Sequence, residues 1–138
     1  MRLGWILGST VVTTAMLVLF NAFLFPLVFP GGLAETFMNA RAPQLMAYHL
    51  LGFLCTGGLL SFIVAFSDTT GARDTLMLGG MLGLLVALPE HLHRYAMTTA
   101  PAGEQFLPVL WTVVTWALVV GAAGWVVARG KHAPLMND

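Results

Sequence analysis

The chain has 138 residues, 58% hydrophobic and only 9% charged, which leaves too few polar side chains to cover a water-soluble domain of this size. Six basic and six acidic residues cancel and are scattered singly, excluding the basic stripe that nucleic-acid binding requires. A single cysteine, Cys55, excludes an internal disulfide framework and a CxxC redox motif.

A helical span needs about 20 apolar residues to cross about 30 Å of hydrocarbon, so four spans and three short loops consume nearly the whole length. The first span is predicted over 3–28. Its apolar run follows Arg2 and continues through Phe23, Leu24, Phe25 and Leu27. That is longer than the roughly 7–15-residue core of a secretory signal. A loop with Gly31, Gly32, Glu35, Asn39, Arg41 and Pro43 precedes a second span over 44–66. Asp68 to Asp74 form a short turn before a third span over 75–97, and the fourth covers 106–128. Connections this short join antiparallel neighbours, so the expected fold is an all-α membrane protein: four transmembrane helices in an up-down-up-down bundle, forming one domain.

In such a bundle Arg2, Arg73, Arg129 and Lys131 share one side, Arg41 and Arg94 the other. The basic excess predicts a bacterial inner-membrane protein with both termini cytoplasmic. Trp5 and Trp125 then mark the inner interface and Trp111 the outer one, while Trp116 lies deeper, in packing. Small residues recur at four-residue spacing as Gly4 and Gly8, Gly57 and Ser61, and Gly79 and Gly83. That spacing lets helix backbones approach closely, within one bundle or between copies in a homo-oligomer or larger membrane complex.

The third span departs from a plain apolar helix at Leu88-Pro89-Glu90-His91-Leu92-His93-Arg94-Tyr95. About 24 Å of helix separates Asp74 from Glu90, which puts Glu90 and His91 just inside the outer leaflet. Pro89 is expected to bend the span there or to start a short interfacial helix. Counted in the same way, His49 lies about 28 Å from Asp68 and His93 about 28 Å from Asp74, at matching depth, with Asn21 close to that level on the first span.

Several readings of this layer are open. Its groups can be solvated interfacial residues, with Glu90 paired to Arg94 at i,i+4. They can form a ligand site in which His49, Glu90, His91 and His93 bind a transition metal, or His49 and His93 hold the two faces of a haem iron. Only one Glu-x-x-His pair occurs, against the two that di-iron bundles use. On a continuous helix His91 and His93 project in different directions. Proton- or cation-linked transport is a third reading. A hydrolase is disfavoured because no Gly-x-Ser-x-Gly elbow or phosphate-cradling loop is present. The expectation is therefore a small accessory or assembly subunit without a soluble catalytic domain, partnered by the lipid bilayer and by other membrane helices.

Overall fold

The computed structural model describes residues 3–29, 46–67, 71–97 and 102–132, and every element among them is helical. Arg2, the first loop with Arg41 and Pro43, and Asp68 lie outside the described residues, as do the side chains of His49, Arg94, Tyr95, Lys131 and His132. We number the helices α1 (Leu3–Val28), α2 (Met46–Phe66), α3 (Ala72–Met97) and α4 (Ala102–His132). Three stretches are long and apolar enough to cross a membrane: Leu3–Val28, Ala72–His93 and Phe106–Gly130. The apolar stretch of α2, Leu50–Phe66, is shorter.

The outer surface is unlike that of a water-soluble protein. Large aliphatic groups face outward, among them Leu3, Leu7 and Val11 on α1, Leu59 on α2, Leu85 on α3 and Leu110 on α4. Hydroxyl-bearing Ser9, Thr13, Ser61, Thr75 and Thr115 are buried instead. This arrangement suits lipid, where apolar side chains gain nothing by turning inward and small or hydrogen-bonding residues hold helices together.

The first small-residue face joins α1 to α2. Ser9 Oγ donates to Ser61 Oγ at 3.0 Å, and Thr13 Oγ1 lies 3.0 Å from the Gly57 carbonyl oxygen and 3.2 Å from Ser61 Oγ. A Cβ at Gly57 would approach Thr14 Oγ1 to 2.6 Å, so only glycine permits this spacing. The second face joins α3 to α4. A Cβ at Gly79 would collide with the Trp116 carbonyl, and one at Gly83 would reach the Thr112 carbonyl oxygen at 3.0 Å. Gly121 and Gly124 on α4 receive Leu76 and Thr75 in return. Both pairs run antiparallel, since rising numbers on one helix meet falling numbers on the other.

α4 is the hub: Val119, Val120 and Ala123 are fully buried, in a core completed by Leu17 from α1 and Leu60, Val64 and Ala65 from α2. It packs on α1, α2 and α3, whereas among the described residues α2 and α3 make little contact with each other. The short connection between α2 and α3 had predicted close neighbours. Instead the close small-residue contacts run from α2 to α1 and from α3 to α4.

Two local features also differ from expectation. Pro89 does not start a new helix, because α3 is a single element with Pro89 inside it. The proline is exposed, so its ring and the carbonyl it leaves unbonded lie on the outer surface and not in a packed seam. In α1 the π-helical stretch Leu19–Leu24 separates Leu3–Val18 from Phe25–Val28. Pro26 follows at once. Lacking an N–H, it cannot continue the regular ladder, and the wider turn accommodates the break.

Candidate functional site

The polar layer predicted at the outer end is built mainly by α3. Because α3 is continuous, Glu90 and His93 stand one turn apart on neighbouring positions of the same side, and both are exposed. His91 is half-buried and turned to a different side of the helix. Asn21 lies in the π-helical stretch, where its Nδ2 donates to the Leu17 carbonyl at 2.9 Å. It therefore serves its own helix, in a segment whose widened register changes the local carbonyl pattern.

His49 belongs to the first turn of α2, and its side chain lies outside the described residues. Helix register places its backbone. Ser9 opposite Ser61 and Thr13 opposite Gly57 align α1 with α2, Phe20 against Trp111 aligns α1 with α4, and Gly83 against Val113 aligns α3 with α4. Carried outward, the α1–α2 alignment puts the His49 backbone level with Asn21. The equal depth expected for His49 and His93 assumed that α2 and α3 run side by side, whereas α3 docks on α4.

Among the described residues no group of three or more His, Cys, Asp or Glu side chains is close enough to hold a metal ion. Toward the same end of the bundle, aromatic rings pack together. Trp111 meets Phe20, Phe25 and Phe29 edge-on, with centroids 6.1, 5.8 and 5.7 Å away. The Trp111 Nε1 is buried there and has no hydrogen-bond partner among the described residues.

Sequence reasoning singled out Ser61, with Gly57, as a small-residue packing face and gave Ser9 and Thr13 no role. The structure makes them the most completely buried polar group, joined across α1 and α2. The signal that could have found them is the matched four-residue spacing of Ser9 and Thr13 with Gly57 and Ser61, which aligns hydroxyls with a backbone groove.

Comparison with protein families, curated proteins and solved structures finds no match to this chain. Its reading rests on its own residues.

Proposed function

We propose that the chain is a four-span, up-down-up-down inner-membrane protein with both termini cytoplasmic, acting as a small accessory or assembly subunit. The observation that carries this reading is the outer surface: exposed aliphatic side chains cover α1 to α4, while buried Ser9, Thr13 and Ser61 are hydrogen-bonded between helices. Such interior groups build a scaffold, and the outer aliphatic face is suited to lipid and to neighbouring spans. α2 has 21 helical residues, about 31 Å, so it too is long enough to cross.

Cys55 provides the test because it is exposed in the middle of the apolar stretch of α2. In intact membranes it is expected to resist a membrane-impermeant maleimide and to label fully after denaturation. Labelling in intact membranes would overturn the four-span reading. The subunit role predicts that the chain migrates in a larger complex when membranes are dissolved in mild detergent at native expression. Migration as an isolated chain would overturn that role.

A second reading has one observation in its favour, the exposed Glu90 and His93 one turn apart on a continuous helix. On that reading these two residues, with His49 and His91, hold a transition metal or haem at the outer face. Metal analysis and an optical spectrum of the purified protein test it, and neither bound metal nor a Soret band is expected if the residues are only interfacial.

A further inference from the structure

At the opposite end of the bundle, Trp125 and Arg129 occupy one face of α4 one turn apart. Trp125 is 59% exposed, so its indole lies on the outer flank and not in a helix seam. The Arg129 guanidinium stacks over that ring, 3.5 Å from its centroid. Side chains on a helix lean toward its N-terminus, which brings residue i+4 back over residue i. Stacking engages the flat face of the guanidinium and leaves its N–H edges directed away from the ring. Those N–H groups make no hydrogen bond or ion pair among the described residues.

The depth of this pair is set by α4, whose apolar stretch ends at Gly130. Arg129 therefore stands at the boundary of the hydrocarbon, with Trp125 one turn inside it. On the bundle side the indole of Trp5 sits directly on Gly130, where any Cβ would collide with its ring. Trp5 closes that side and leaves the Arg129 edge facing outward.

We propose that the Trp125–Arg129 corner binds the phosphate of an anionic phospholipid headgroup. A guanidinium edge matches two phosphate oxygens in bidentate fashion, and the ring beneath it holds the cation in place. An anionic lipid is favoured over a choline lipid because choline would bring a second cation beside the guanidinium. The inference rests on the membrane reading proposed above.

The full chain, reconstituted in nanodiscs of phosphatidylcholine, is titrated with phosphatidylglycerol and bound lipid is counted by native mass spectrometry. Arg129→Gln is expected to weaken phosphatidylglycerol binding about tenfold, and Trp125→Leu about threefold. Arg73→Gln, on the neighbouring helix and not stacked on the ring, is expected to leave the binding within about twofold. Equal loss in Arg73→Gln and Arg129→Gln, unchanged binding in Arg129→Gln, or displacement of the lipid by millimolar inorganic phosphate would each overturn the headgroup site. Co-flotation of every variant with liposomes is measured in parallel. Wild-type protein that fails to co-float refutes the membrane reading itself, whereas protein that co-floats without headgroup preference refutes this inference alone.

Discussion

Gly79 on α3 sits directly against the backbone carbonyl of Trp116 on α4, with no room for a side chain between the two helices. Gly83 repeats the contact one turn further on, against Thr112 and Val113. By contrast Gly4 and Gly8, which share the same four-residue spacing, have nothing within 4 Å of where a Cβ would stand. Identical sequence signals thus have different structural meanings.

Substitution separates them. Gly79→Leu or Gly83→Leu forces two backbones apart and is expected to cost about 1–3 kcal/mol, seen as a lowered unfolding midpoint in detergent. Gly4→Leu and Gly8→Leu are expected to change the stability of the isolated chain by less than about 0.5 kcal/mol. A large loss at Gly4 or Gly8 without any change in oligomer size would contradict the packing described.

The hydroxyl contact between α1 and α2 is a measurable coupling. Ser9→Ala and Ser61→Ala each remove one end of the same hydrogen bond, so the double substitution is expected to cost less than the sum of the singles, by about 0.6 kcal/mol. Thr13→Val keeps the shape and removes the donor to Gly57, with an expected cost of about 1 kcal/mol. Strict additivity in the Ser9 and Ser61 cycle would show that the bond contributes nothing.

Topology is read by reporters at the termini. Both an N-terminal and a C-terminal fusion are expected to report the cytoplasmic side, given the basic excess of Arg2, Arg73, Arg129 and Lys131. A periplasmic C-terminus would require an odd number of spans, and α2, with the shortest apolar stretch, is the one that would be withdrawn from the membrane.

The histidine layer is tested by non-additivity. If His49 and His93 share a ligand, His49→Ala and His93→Ala each abolish metal or haem binding, and the double variant loses little more. Interfacial histidines would instead show no bound ligand and stability changes of about 0.5 kcal/mol or less that add. His132→Ala is the control, from the far end of α4. A loss of ligand in that variant equal to the loss in His49→Ala would refute an outer-face site.

Much of this protein was legible without coordinates. The apolar runs ending at Val28 and Phe66 follow from the roughly 30 Å of hydrocarbon that a spanning helix must match, a constraint written along one dimension of the chain. Lateral arrangement is not written there. Which small-residue pair becomes a seam depended on what faced it: Gly57 met Thr13, Gly79 met Trp116, and Gly4 met nothing. The docking of α3 on α4 and not on α2 was likewise not written there, because close backbone contact between glycine faces, and not the length of a connecting loop, holds these helices together.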